Sequence, residues 1–425
     1  MSASPPSTEF GHVPFLDLAY DKEDSENSAR KLIMTLVPEW GSEDSNVEFV
    51  RFTDGITNTL LKAINRRPGL SKLDVDREAI LLRAYGNGTA VLIDREREAE
   101  NHELLMRHGL ATQLHARFKN GMLYGYISGT VAKAHDLPDP PILTAIARRL
   151  AQWHATVPCL SDPNHARDAT HVNGNTNGAA NGNGNLNGHA NGDGDKARQA
   201  MIDNTAPGKP PPNMWTIMQK WILALPTDTE AQRERQDLLQ RELGVVVEKL
   251  SQRPGLGKNG LVFAHCDLLC ANVIIHKDSD VAPTVDFIDY EYATPSPAAF
   301  DVANHFAEWA GYECDYSAVP RQDQRLAFVK EYIKMYFSLT GEAVNEDDEV
   351  RKLMEEVDAY RGVPGFYWGI WSSIQAVISE IDFDYAQYAE LRLSEYWAYK
   401  AEDDGSRKDT GSEMPLREQT WWRTE

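Results

Sequence analysis

At 425 residues the chain is long enough for two lobes, and its 43 Lys+Arg against 64 Asp+Glu leave a formal charge of −21. Such a surface repels a phosphate backbone or an anionic membrane over most of its extent, so nucleic acid is excluded as the first partner. The first ten residues have neither a basic nor an apolar leader segment, no apolar run reaches membrane-spanning length, and four cysteines (Cys159, Cys266, Cys270, Cys314) are too few for a disulfide framework; the prediction is a cytoplasmic protein with no integral membrane segment.

In chain order, residues 1–46 are rich in Ser, Pro, Asp and Glu and read as an N-terminal tail and lead-in, mobile over at least the first dozen. Residues 47–130 read as strands with one helix. Short β-type runs occur at Phe49–Phe52, Thr59–Ala63 and Ala79–Arg83. Asp94 is placed to cap a helix that runs to His108 and closes at Gly109. Two more strands, Gln113–Phe118 and Met122–Ile127, flank Asn120-Gly121, a strong hairpin signal.

From residue 131 to 400 helices dominate, beginning with one whose apolar positions Ile142, Leu143, Ile146, Leu150 and Trp153 follow helical spacing. Residues 173–195 are an Asn-Gly repeat with almost no side chain able to offset the entropy of ordering a backbone. With the neighbouring Pro-Gly-Lys-Pro-Pro-Pro they predict a disordered surface insertion over about residues 162–212. A β island (Leu261–Ala264, Val273–Ile275, Thr284–Ile288) interrupts the helices, and residues 401–425 read as a C-terminal tail.

The chemistry concentrates on that island. His265-Cys-Asp-Leu-Leu-Cys-Ala-Asn272 follows one strand and precedes the next, and Asp289 ends the third. Magnesium-dependent phosphoryl transfer needs this set: one carboxylate facing an acceptor hydroxyl, and an amide oxygen with a second carboxylate on the metal. Asp267 alone would pass as a turn former and Asn272 as a cap, but the three together point to function. His265 reads as structural support of the loop. A zinc site from His265, Cys266, Cys270 and His276 is the rival, disfavoured because zinc fingers set a close cysteine pair against a distant second pair.

These residues, with Ile288-Asp-Tyr-Glu-Tyr-Ala293 and Phe300-Asp-Val-Ala-Asn-His-Phe-Ala-Glu308, resemble the choline/ethanolamine kinase family over about residues 47–400, interrupted by the Asn-Gly insertion. The Asp-Leu-Leu-Cys form of the loop is closer to the family's ethanolamine branch. The resemblance implies an α+β, protein-kinase-like two-lobed fold, with a small mixed β/α nucleotide-binding N-lobe at 47–130 and a larger, mainly helical C-lobe at 131–400. It implies Asp267 as catalytic base, Asn272 and Asp289 as Mg2+ ligands, and Asp301 as a brace for the catalytic loop. Protein kinases carry Asp-Phe-Gly and a long activation segment; here Asp289-Tyr-Glu leads almost at once into a helix, which leaves no room for a docked peptide and argues for a small-molecule acceptor.

In the N-lobe, Asp54-Gly-Ile-Thr-Asn58 resembles the family's phosphate-covering turn, so Gly55, Thr57 and Asn58 are candidate ATP contacts, with Asp54 where the family has a first glycine. Arg83 stands where protein kinases place the phosphate-pairing lysine, and Glu98 is its expected carboxylate partner, ahead of Glu96 and Glu103. For the acceptor, Trp368 and Trp371 lie three apart on one helical face. Unaided, such aromatics read as core; by resemblance they enclose an amine together with Tyr388, Tyr292 and Glu308. The expected activity is transfer of the γ-phosphate of ATP to ethanolamine, an amino alcohol, giving phosphoethanolamine for phosphatidylethanolamine synthesis. The alternatives are a choline kinase or aminoglycoside-like phosphotransferase, and, from another class, a catalytically silent nucleotide-binding regulator.

Overall fold

The computed structural model describes residues 13–52, 58–86, 88–159, 192–277 and 281–424. In chain order its elements are β1 (Phe15–Leu16), α1 (Ser25–Leu36), β2 (Asn46–Phe52), β3 (Asn58–Arg66), α2 (Lys72–Glu78), β4 (Ile80–Tyr85), α3 (Arg95–Arg107), β5 (Leu114–Phe118), β6 (Gly121–Gly125), β7 (Thr130–Val131) and α4 (Pro140–Thr156). There follow α5 (Gly192–Asp203), α6 (Met214–Ala224), α7 (Glu230–Leu250), β8 (Val262–Ala264), β9 (Val273–His276), β10 (Thr284–Phe287) and β11 (Thr294–Ser296). The remainder is α8 (Ala298–Ala307), α9 (Gln322–Thr340), α10 (Glu346–Tyr360), α11 (Val363–Ile378), α12 (Tyr385–Asp403), α13 (Ser406–Thr410) and α14 (Leu416–Trp422). Among the described residues no helix is long and apolar enough to cross a membrane.

The chain divides into two compact units, one of residues 1–146 and 270–291, the other of residues 147–269 and 292–425. The first is built on a six-stranded sheet in the order β1-β5-β6-β4-β3-β2, antiparallel except for β1 beside β5. The lead-in is not a tail from residue 13 onward. β1 extends the sheet edge, and α1 buries Ala29, Leu32 and Ile33 against Trp40, Leu61, Leu82, Phe118 and Leu123. Its apolar positions make it amphipathic, and that face outweighs the polar composition of the segment. Residues 1–12 lie outside the described residues.

The hairpin of β5 and β6 forms one residue away from its expected register. Phe118 pairs with Gly121, so Lys119 and Asn120 make the loop. Asn120 serves as a clamp, accepting from the Tyr20 N–H and donating to the Tyr20 carbonyl at 2.9 Å each. Gly121 is required by close approach, since a Cβ there would lie 2.1 Å from the Arg83 carbonyl oxygen. α3 starts where expected, its cap Asp94 accepting the Arg97 N–H at 3.2 Å. A second sheet, β10-β9-β7, groups residues 131–146 and 270–291 with this unit rather than with a helical lobe starting at 131. Strand pairing with Thr130–Val131 overrides the helical sequence neighbourhood of β9 and β10.

The second unit is mainly helical, around a core that includes the fully buried Trp153, Trp215, Trp221, Phe263, Phe300, Phe306 and Tyr367. β8 and β11 pair antiparallel at its centre and lead into α8. α11 and α12 approach closely because Gly365 and Gly369 face the partner helix: a Cβ would lie 2.6 Å from the Arg392 carbonyl oxygen at the first and 2.5 Å from Leu393 Cγ at the second.

Two sequence expectations fail here. The irregular stretch was expected to run to about residue 212, yet Gly192–Asp203 is helical, because Lys196-Ala-Arg-Gln-Ala-Met201 are good helix formers and Arg198 reaches the Leu223 carbonyl at 2.9 Å; residues 160–191 lie outside the described residues. The expected C-terminal tail is also folded. Trp421 is fully buried, its indole N–H donating to Asp358 at 2.7 Å beneath the guanidinium of Arg325, 4.0 Å from the ring. The short helix is docked by this aromatic together with buried Glu418, 2.9 Å from Arg361, and the Gln322 N–H bonded to the Arg423 carbonyl at 3.0 Å.

Candidate active site

In the first unit, the β4 side chain of Arg83 is shared by three carboxylates. Its Nε lies 3.2 Å from Glu98 on α3, and Nη2 lies 2.8 Å from Asp289 and also meets Glu291. Glu103 pairs instead with Arg107. Arg95 adds a second cation, 2.9 Å from Glu98 and 3.3 Å from Glu291, and Asn58 donates to Glu291 at 2.9 Å. Burial would lower the Arg83 pKa, but Asp289, Glu98 and Glu291 hold it well above its ordinary value. Burial pushes Glu98 up despite Arg83 beside it. Of the three anions only Asp289 is substantially open, its side chain 34% exposed.

Asp289 sits at a φ of 66°, a left-handed conformation that costs a non-glycine residue about 1 kcal/mol. It follows β10, whose Ile288 N–H donates to the Asn272 carbonyl at 3.0 Å. Asn272 immediately precedes β9, so Asn272 and Asp289 stand at the same end of the β9–β10 ribbon. An amide oxygen and a carboxylate are the hard donors that Mg2+ takes, with phosphate oxygens completing its shell. Gly55 and Thr57 lie outside the described residues. The rival zinc ligands point to other partners: His276 meets Asp286 at 2.9 Å and Cys266 Sγ meets the Ser296 hydroxyl at 3.4 Å.

In the second unit, α8 holds the loop that carries Asp267. Fully buried Asp301 accepts from the backbone N–H of His265 at 2.9 Å, that of Cys266 at 2.7 Å and His154 Nε2 at 2.9 Å. Burial by itself would raise the Asp301 pKa; the hydrogen bonds and the positive edges of His154 and His265 outweigh it, and the pKa is lowered. One helical turn on, Asn304 donates to the Cys266 carbonyl at 2.9 Å and His305 Nδ1 donates to that of Leu268 at 2.8 Å. Burial holds His305 to about 4, so it is neutral, with Nε2 accepting the Trp309 indole N–H at 3.3 Å. His265 Nδ1 accepts the Asp267 N–H at 3.3 Å. Every anchor fits a fixed loop in which Cys266 takes a φ of 63°.

Beside this loop stands an aromatic wall. Tyr292 meets Trp368 edge to face at 5.5 Å, Trp368 meets Trp371 at 5.6 Å, and the Trp371 indole N–H donates to the Tyr292 hydroxyl at 2.8 Å. Trp368 is tied to the loop's own anchor, donating to Asn304 Oδ1 at 2.9 Å. These rings and Tyr388 retain 6–8% exposure whereas neighbouring Tyr367 and Trp221 retain none. Glu308 follows α8 and pairs through one oxygen with Arg392 at 2.9 Å, while its other oxygen has no partner among the described residues. Shelter from solvent, then the charges of Asp267 and Glu308, push the Tyr312 phenol pKa up, and its ring lies 6.5 Å from that of Tyr388.

The comparisons with known proteins decide the family. A model of the choline/ethanolamine kinase family matches residues 49–397. The chain belongs to the choline/ethanolamine kinase family. A probable ethanolamine kinase of Nematostella vectensis is 32% identical over 91% of this chain and 97% of its own, and ethanolamine kinase 2 of Rattus norvegicus is 30% identical over 93% and 87%. Among solved structures, an ethanolamine kinase of Plasmodium vivax has a TM-score of 0.63 at 22% identity, covering 88% of each chain. A choline kinase of Cryptosporidium parvum has a TM-score of 0.57 at 18% identity, covering 92% of this chain and 98% of its own. This choline/ethanolamine kinase family member has the α+β, protein-kinase-like fold and is a kinase. Reading its sequence missed Glu291, Arg95, His154, Asn304, Tyr312 and Arg392. Asn304 had a visible signal, lying one turn after Asp301; Arg392 had none, because Glu390-Leu-Arg-Leu-Ser-Glu395 reads as a solvated helix until α11 and α14 cover it.

Proposed function

We propose that the chain transfers the γ-phosphate of ATP to the hydroxyl of ethanolamine, giving phosphoethanolamine for phosphatidylethanolamine synthesis. The observation that carries the reading is the second unit's grouping of an anchored Asp267 with an aromatic wall and a carboxylate oxygen of Glu308. A primary ammonium offers three N–H donors, which suit Glu308, and a cationic carbon shell, which suits aromatic faces. The full-length relatives named ethanolamine kinases support the same acceptor.

In this mechanism Trp368, Trp371, Tyr292 and Tyr388 enclose the amine while Glu308 takes its charge. The hydroxyl then faces Asp267, whose carboxylate orients it and accepts its proton as the oxygen attacks the γ-phosphorus and the bond to the β–γ bridging oxygen breaks, releasing ADP. Asp301 and His265 keep that carboxylate in place. Arg83, oriented by Glu98, clamps nucleotide phosphate, with Gly55, Thr57 and Asn58 as further contacts of the covering turn. Asn272 and Asp289 would hold Mg2+, which supplies neutralisation of the phosphate charge when bound. Retention of Asp267, Asn272 and Asp289 favours an active kinase over a silent nucleotide-binding regulator. The two tryptophans favour choline as a poorer second acceptor, since a quaternary ammonium has no N–H to donate and is held by aromatic faces and diffuse negative charge. The same reading places the kinase in the cytoplasm, the compartment that sparse cysteines suit.

Asp267→Asn tests the mechanism. Turnover should fall on the order of a thousandfold with an unchanged unfolding midpoint; full activity in that variant overturns it.

A further inference from the structure

Glu308 is the first member of a buried chain of alternating charges that ends in the C-terminal helix. Its Oε1 lies 2.9 Å from Arg392 Nη2; Arg392 Nε lies 3.2 Å from Glu395; Glu395 Oε2 lies 3.5 Å from Arg417; Arg417 Nη1 lies 3.3 Å from Glu418; and Glu418 Oε2 lies 2.9 Å from Arg361. All six side chains are at most 10% exposed, and three anions balance three cations. Arg417 and Glu418 belong to α14, beyond residue 397 where the family match ends. α14 is also fixed by packing: the ring of Trp421 lies 6.4 Å from that of Phe306, two residues before Glu308, and Gln322 N–H donates to the Arg423 carbonyl at 3.0 Å.

A buried ion network gains little stability over apolar side chains of the same volume. What this one does is fix where Glu308 points and how much of its charge an ammonium can use. Arg392 is held between two carboxylates. The more of its charge Glu395 takes, the more of Glu308 remains for a cation; Arg417 competes for Glu395, and Glu418 in turn competes for Arg417.

We propose that α14 is a specificity-setting part of the amine half-site, acting through Arg417, Glu395 and Arg392 as positioning residues that set the direction and effective charge of Glu308. The inference rests on the reading that Glu308 receives the substrate ammonium.

The test is steady-state kinetics of the 425-residue chain, varying ethanolamine and MgATP in turn. Glu395→Gln leaves Arg392 undercompensated, so the KM for ethanolamine should rise on the order of tenfold while the KM for ATP stays within twofold. Glu395→Gln/Arg417→Gln restores the balance of charge and should recover at least half of that loss on a logarithmic scale. Two merely structural defects would add or compound instead. Glu418→Gln, remote from Glu308 and of the same sign, should raise the ethanolamine KM severalfold and serves if Glu395→Gln does not fold. An unchanged ethanolamine KM in these single variants, an equal shift in the ATP KM, or a double variant worse than Glu395→Gln overturns the proposal. Glu308→Gln separates the two levels: if it leaves the ethanolamine KM unchanged, the acceptor reading fails and the relay with it. A raised KM there beside normal Glu395→Gln and Glu418→Gln variants sinks the relay alone.

Discussion

Replacing Asp301 by Asn isolates the anchor of the catalytic loop. The carboxylate serves three donors, Oδ2 taking His154 and the His265 N–H at 2.9 Å each and Oδ1 taking the Cys266 N–H at 2.7 Å. An amide has one acceptor oxygen, and its best placement keeps the two bonds at Oδ2. Its NH2 group then faces the Cys266 N–H, donor against donor, in a fully buried position. Losing one hydrogen bond to a charged acceptor costs about 1.5–3 kcal/mol, and the other two lose their charge assistance, so a total near 3 kcal/mol follows. The Cys266 backbone, at a φ of 63°, relaxes once released and carries Asp267 with it. A displacement on the order of 1 Å at the base lowers kcat about a hundredfold. Urea unfolding followed by tryptophan fluorescence, with kcat at saturating substrates, reads both effects. A variant within 1 kcal/mol of wild type and within twofold in kcat refutes the reasoning.

Two more outcomes follow from the same geometry. Burial pushes His102 and His305 down to about 4, whereas unfolded histidines titrate near 6.5, so between those values the unfolded chain binds the extra protons. Stability should therefore fall as pH drops from 6.5 to 4, by roughly 3 kcal/mol for each of these two histidines at the lower end, with His115, also lowered by burial, adding to the slope, and His305→Asn should remove only its own share. A thermal midpoint that stays flat from pH 7 to 4.5 contradicts this. Trp371→Leu removes one aromatic face and the donor to Tyr292, yet leaves Glu308 in place. The KM for choline should rise roughly 5- to 30-fold and that for ethanolamine less; equal changes count against the division of labour between the wall and the carboxylate.

What was legible in the sequence was local. Asp94 announced α3 because a cap is a short-range signal, and α3 in turn brings Glu98 to Arg83. His265 and Asp267 are joined by a hydrogen bond two residues apart, whereas the brace from Asp301, 36 residues after His265, was legible only through the family likeness. The hairpin was visible but its turn was off by one residue, since Gly121 is demanded by the Arg83 carbonyl across the sheet and not by the turn. Arg392, Glu395 and Arg417 were invisible for a different reason. Their burial comes from two glycines on α11 and from a docked C-terminal helix, contacts between distant segments that no helical periodicity encodes. The proposal of Trp368 and Trp371 as an amine lining rests on family likeness, because their spacing alone reads as core.

The central claim, a Mg2+- and ATP-dependent kinase acting on ethanolamine, is tested most directly by initial rates of ATP consumption with ethanolamine, choline and an aminoglycoside as acceptors, with and without Mg2+. The account predicts the highest kcat/KM for ethanolamine, a lower but measurable value for choline, none for the aminoglycoside, and loss of all activity when Mg2+ is chelated. Ethanolamine as the poorest acceptor, or turnover undiminished without the metal, would contradict it.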